Sequence, residues 1–75
     1  MASEVEHARN WPALTQRQRQ VARALERGLS TEEIAAELGI APRTVRAHCD
    51  SLRCTLGVRK RRLIVPAFRH LEGRP

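Results

Sequence analysis

No apolar run in this chain is long enough for a signal peptide or a membrane span. The expectation is a cytoplasmic protein with no membrane partner. No stretch alternates apolar and polar residues for long enough to build a sheet, no segment repeats and none is of low complexity. The only cysteines, Cys49 and Cys54, stand five residues apart within one predicted helix, about 500° of rotation. They point in different directions and can neither pair nor hold a metal together, so reduced thiols are expected. No Ser/His/Asp or Cys/His set is spaced for catalysis, and His7 and His70 have no metal-ligand companions. At 75 residues the chain buries only about 60% of its unfolded surface, which leaves no room for a deep cleft. An enzyme, a metal site and a cofactor are therefore not expected.

Acidic residues are scarce in the second half. Up to Ile40 five arginines meet six glutamates; from Ala41 onward nine cations meet only Asp50 and Glu72, so the whole net charge of +6 comes from the second half. A cationic half on a small domain points to a polyanion, most often nucleic acid; the bland reading is solubilising charge. Hydrophobic residues make up 41% of the chain and are well spread, which indicates a folded domain and not a disordered tail.

What is present reads as an all-α domain of four helices over residues 15–27, 31–38, 42–56 and 61–71, within a domain spanning 11–72 and preceded by a flexible arm, 1–10. Thr15 with Gln18, and Ser30 with Glu33, are capping boxes, and Leu29 is placed to staple onto Ile34. Gly28, Gly39 and Gly57 stop the first three helices. Pro42 sits at the first position of the third, where a missing N–H costs nothing. Pro66 requires the fourth helix either to kink or to start late.

Two short helices joined by a glycine-containing turn are a helix-turn-helix unit. Ile34, Leu38, Ile40 and Val45 fall at its core positions, Ala35 is small where the backbones approach, and Gly39 permits the turn. A helical wheel puts Val45, Cys49, Leu52, Leu56 and, at its edge, His48 on one side of the third helix, with Arg43, Arg46, Ala47, Asp50 and Cys54 opposite. The outward face of such a helix enters the major groove. Arg46 is the first candidate for a base contact, since arginine bidentate to guanine is the commonest specific pairing. Ala47 leaves room for a thymine methyl. Arg43 and Thr44, near the helix start, suit phosphate. Asp50 has three readings: it holds Arg46 one turn away, it limits affinity, or it accepts from cytosine.

At this point Leu14-Thr15, Arg17, Val21, Gly28-Leu29-Ser30, Glu33-Ile34-Ala35, Leu38, Ile40, Thr44-Val45, His48, Leu52 and Leu56-Gly57-Val58 together resemble the DNA-binding domain of LuxR-type transcriptional regulators. The resemblance covers about two thirds of the chain. It implies a four-helix, sequence-specific binder of double-stranded DNA, a homodimer through the fourth helix, and a possible contact with RNA polymerase. By position it carries over Arg46, Ala47 and Asp50 as base-facing and Arg43 and Thr44 as backbone-contacting. The basic run Arg59-Lys60-Arg61-Arg62 falls near the DNA backbone in this geometry, the bland reading being a solvated run, and the expected DNA-contacting set is Arg43, Thr44, Arg46, Ala47, Asp50, Arg53, Arg59, Lys60 and Arg61. Once a three-helix core is filled, the leftover apolar residues Leu63, Ile64, Phe68 and Leu71 are expected to form the dimer contact. Against the family pattern, Gln18 stands for a glutamate, Ala41 for the serine cap of the third helix, Cys54-Thr55 for a basic pair, Lys60 for a polar cap, and Pro66 interrupts the fourth helix. Two other functions fit the pattern: a module like sigma-factor region four, docked on polymerase, and a protein–protein adaptor that has lost DNA binding.

Overall fold

The computed structural model describes residues 14–73; the expected arm over 1–10 and the first three residues of the expected domain, 11–13, lie outside the described residues. Four α-helices follow one another: α1 Gln16–Glu26, α2 Thr31–Leu38, α3 Pro42–Leu56 and α4 Ile64–Leu71, the last preceded by a 3-10 turn at Arg61–Leu63. No strand occurs among the described residues.

Local chemistry explains the starts. At α1 the Gln18 amide donates to Thr15 Oγ1 (3.0 Å) while the Thr15 amide donates to Gln18 Oε1 (2.9 Å). Ser30 and Glu33 repeat this reciprocal box at α2, at 3.1 and 2.8 Å, so two orphan donors are satisfied at each end. Gln18 is thus employed in the cap, where it is buried. Ala41 gives α3 no side-chain cap, an omission that costs about 1 kcal/mol.

The helix ends share one device. After α1, α2 and α3 a glycine at positive φ is followed by an aliphatic residue, and the amides of Leu29, Ile40 and Val58 reach back to the carbonyls of Ala24, Ala35 and Arg53. This 6→1 bond is the Schellman motif. Leu29, Ile40 and Val58 each turn back onto the core. At Gly39 (φ 68°) an added Cβ would meet nothing within 4 Å, so the left-handed backbone, and not space, requires glycine there.

The core joins Val21, Ala22 and Ala24 of α1, Ile34 and Ala35 of α2, and Val45, Cys49 and Leu52 of α3 to Ile64 and Phe68 of α4. Phe68 is its largest fully buried side chain. The core therefore needs α4, which corrects the expectation of a three-helix core with apolar residues left over. Ile64 and Phe68, expected in a dimer contact, are wholly buried within the protomer. Leu71 packs half-buried against them, and Leu63 alone of that set is exposed.

Pro66 decides where α4 begins. Ile64 is the first helical residue, so Pro66 occupies the third position of the first turn, where its missing N–H would have no intrahelical partner. The helix expected over 61–71 consequently starts three residues later, with the 3-10 turn taking up the difference.

Candidate nucleic-acid interface

Packing of α3 against α1 and α2 leaves one side of it free. Val45, Cys49 and Leu52 are buried, whereas Arg43, Arg46, Ala47, Asp50 and Cys54 are all exposed, in agreement with the helical wheel. Thr44 and His48 lie half-buried between the two sides, and among the described residues the His48 ring forms no hydrogen bond. Burial pushes the Cys49 thiol up, the cations Arg61 and Arg53 opposing this and Asp50 adding to it. Cys49 is thereby kept in its unreactive neutral form.

Ion pairing sorts the cations into two populations. Glu72 accepts from Arg19 (3.2 Å) and Arg23 (3.1 Å), Glu26 from Arg69 (2.9 Å) and Glu37 from Arg27 (2.7 Å). These pairs tie α1 to the end of α4 and to α2, and Arg23 also lies over the Phe68 ring, 5.6 Å from its centroid. By contrast Arg43, Arg46, Arg59, Lys60 and Arg62 are exposed and, among the described residues, their side chains form no hydrogen bond or ion pair. They all belong to α3 or to the segment that follows it. Between Pro42 and Arg62 seven cations face one acid, Asp50, a local excess of six. Arg17, half-buried on α1, is the remaining unpaired cation among the described residues.

Three expected DNA-contacting residues are engaged internally. Asp50 accepts from Arg53 Nη2 at 2.5 Å and not from Arg46, because Arg53 lies one turn on and its other nitrogen is already anchored to the Arg59 carbonyl at 2.9 Å. Arg61 Nη1 donates to the Thr31 hydroxyl, 2.5 Å away at the buried start of α2. Arg62, which belongs to the basic run but not to the expected contact set, is exposed like Arg61 but has no such side-chain partner among the described residues. Successive residues of a 3-10 turn project about 120° apart, so Arg61 and Arg62 cannot both reach Thr31. Their adjacency in sequence gives no indication of which one does.

The arrangement is a helix-turn-helix whose second helix presents a free, cationic face, closed by a fourth helix. The model for bacterial regulatory proteins of the luxR family matches residues 12–67. The chain belongs to this family. Transcriptional regulatory protein UhpA of Escherichia coli (strain K12) is 53% identical over 45 residues, which cover 60% of this chain and 23% of UhpA. Spore germination protein GerE of Bacillus subtilis (strain 168) is 44% identical over 50 residues, 67% of this chain and 68% of GerE. The chain thus matches less than a quarter of the length of UhpA and about two thirds of GerE. Membership supports DNA-binding transcription regulation as the broad function. Among the described residues no helix is long and apolar enough to cross a membrane.

Proposed function

We propose that this domain regulates transcription by binding double-stranded DNA sequence-specifically, with α3 in the major groove. The observation that carries this reading is the sorting of cations. Acids neutralise Arg19, Arg23 and Arg27 in and just after α1 and Arg69 of α4, while Arg43 and Arg46 on the outward face of α3 and Arg59, Lys60 and Arg62 after it stay unpaired among the described residues. An exposed, uncompensated cationic face suits a phosphate backbone, whose neutralisation releases counterions. Arg46 reads guanine O6 and N7, and Ala47 admits a thymine methyl. Arg43 and Thr44 at the start of α3, together with Arg59, Lys60 and Arg62 beyond its end, hold phosphates and set the register. Asp50 is compensated by Arg53, which reduces its repulsion of DNA. The site of action is the bacterial cytoplasm.

The binding species is a homodimer. One small module buries too little surface for specific affinity, and the part of α4 not taken by the core offers a second contact. Leu63, the last residue of the 3-10 turn, is exposed, and Ala67 and Leu71, at intervals of four along α4, are half-buried, so the three follow one line beside the buried Ile64 and Phe68.

Selection on random duplex DNA, combined with sedimentation, tests both points. The expected winners are two-fold symmetric sites whose half-sites lie about one helical turn apart, ~34 Å, bound by two copies. Leu63→Asp should leave the helical circular dichroism intact while converting the dimer to a monomer that loses the symmetric site. Enrichment of unsymmetrical sequences by a monomer would overturn the dimer, and absence of any enrichment would overturn sequence-specific binding.

A further inference from the structure

Most of the segment after α3 is anchored, from Val58 to Lys60 through the backbone and at Arg61 through its side chain. The Val58 amide donates to the Arg53 carbonyl (3.0 Å), the Arg59 carbonyl accepts from Arg53 Nη1 (2.9 Å), and the Lys60 carbonyl accepts from the Leu63 amide (2.9 Å). Arg61 is anchored through its guanidinium to Thr31 on α2. Arg53 therefore grips consecutive residues of the loop twice, once with its backbone and once with its side chain. Its guanidinium also holds Asp50 on the outward face of α3. What remains unanchored are the side chains of Arg59, Lys60 and Arg62, all exposed.

We propose that Arg53 and Arg61 are positioning residues which lock the α3–α4 loop at its two ends, so that Arg59, Lys60 and Arg62 meet DNA phosphates already aligned, while neither locking arginine touches DNA. The proposal rests on the DNA-binding reading above and goes beyond it by dividing the basic run into contacts and clamps. The chemistry favours arginine at position 53, which serves two acceptors at once. A planar guanidinium presents donors in a rigid fork able to serve a carboxylate and a carbonyl together, whereas a lysine ammonium on a flexible stem does not reproduce that geometry. Arg53, held on two acceptors, would have to turn its guanidinium away from at least one of them to present a two-pronged face to a phosphate. Solvent-exposed pairs of this kind add little to stability, so the benefit appears on binding: side chains ordered beforehand do not have to be ordered by the DNA.

Two measurements on the purified chain test this. In the free protein, backbone ¹⁵N relaxation and amide exchange at Arg59 and Lys60 should show a loosened loop in Arg53→Ala and Arg53→Lys, and an unchanged loop in Arg59→Ala. In titrations of random-sequence duplex over a range of salt, Arg59→Ala and Arg62→Ala should each lower the slope of log affinity against log salt by about one unit. Arg53→Ala and Arg61→Ala should weaken binding roughly three- to tenfold, the size expected when one or two flexible side chains must be ordered on binding, with the slope retained. In an Arg53→Ala background, Arg59→Ala should then cost less than it does alone. A slope lowered by a full unit in Arg53→Ala, with the loop as rigid as before, would make Arg53 a phosphate contact and overturn the proposal. So would a variant unchanged in both measurements. If the unsubstituted chain failed to bind duplex at low salt, the DNA-binding reading would fall, and with it the role of the clamp, while the relaxation data would still report whether Arg53 locks the loop.

Discussion

Arg46→Ala is expected to weaken binding to the selected site by about 1–3 kcal/mol, the discrimination carried by one bidentate base contact, and to weaken random-duplex binding far less. Arg46 is exposed on the side of α3 opposite the fully buried Val45 and Leu52, and no acid restrains it. Asp50, the one carboxylate on that face, is committed to Arg53. Arg46 therefore has its full set of donors available for a base edge. Arg43→Ala, at the helix start, should behave differently, lowering affinity alike for all sequences and the salt slope by about one unit, because a phosphate contact is blind to sequence. Equal losses on selected and random duplex for Arg46→Ala, with a reduced salt slope, would make Arg46 a phosphate clamp and move the reading face elsewhere.

Phe68→Ala should be the most damaging single change to the fold. Truncating a buried phenylalanine costs about 3–5 kcal/mol, against a total stability of about 5–15 kcal/mol for ordinary domains. Here the ring is fully buried at the junction of α4 with α1, and its loss also removes the surface under Arg23. In a domain of this size the melting temperature should fall by roughly 12–40 °C. Leu63→Ala, at 36% exposure, should change it little. Thermal melts followed by circular dichroism compare the two, and a Phe68→Ala loss no larger than that of Leu63→Ala would mean that α4 does not complete the core.

The parts of the structure that were legible in the sequence are those written in short-range chemistry. Thr15 with Gln18 and Ser30 with Glu33 act across three residues, and Gly39-Ile40 and Gly57-Val58 across two, so the limits of α2 and α3 follow from local signals, as does the outward face of α3. Pro66 was ambiguous because a proline rule needs to know where the first turn begins, and the 3-10 turn at Arg61–Leu63 settled that by delaying α4. The assignment of Ile64 and Phe68 to a dimer contact failed for a different reason: whether three helices close a core is a question of volume, which spacing along one helix does not answer. The partners of the arginines were the least legible. Arg61 meets Thr31 from 30 positions away and Arg23 meets Glu72 from 49, so which cation is neutralised and which is free depends on tertiary placement, although composition shows the excess.

The division between neutralised and free cations is tested most directly by comparing two triple variants that remove the same charge. One replaces Arg43, Arg59 and Arg62 with alanine; the other replaces Arg19, Arg27 and Arg69, whose pairs with Glu72, Glu37 and Glu26 lie away from α3. Both lower the net charge by three, so any effect of overall charge is common to them. Affinity for a random-sequence duplex, measured from low to moderate salt, should show the first variant losing roughly 2–3 units of salt slope while the second keeps the slope of the unsubstituted chain. Equal losses of slope in the two variants would show that total charge, and not the free face of α3 and its loop, is what holds DNA.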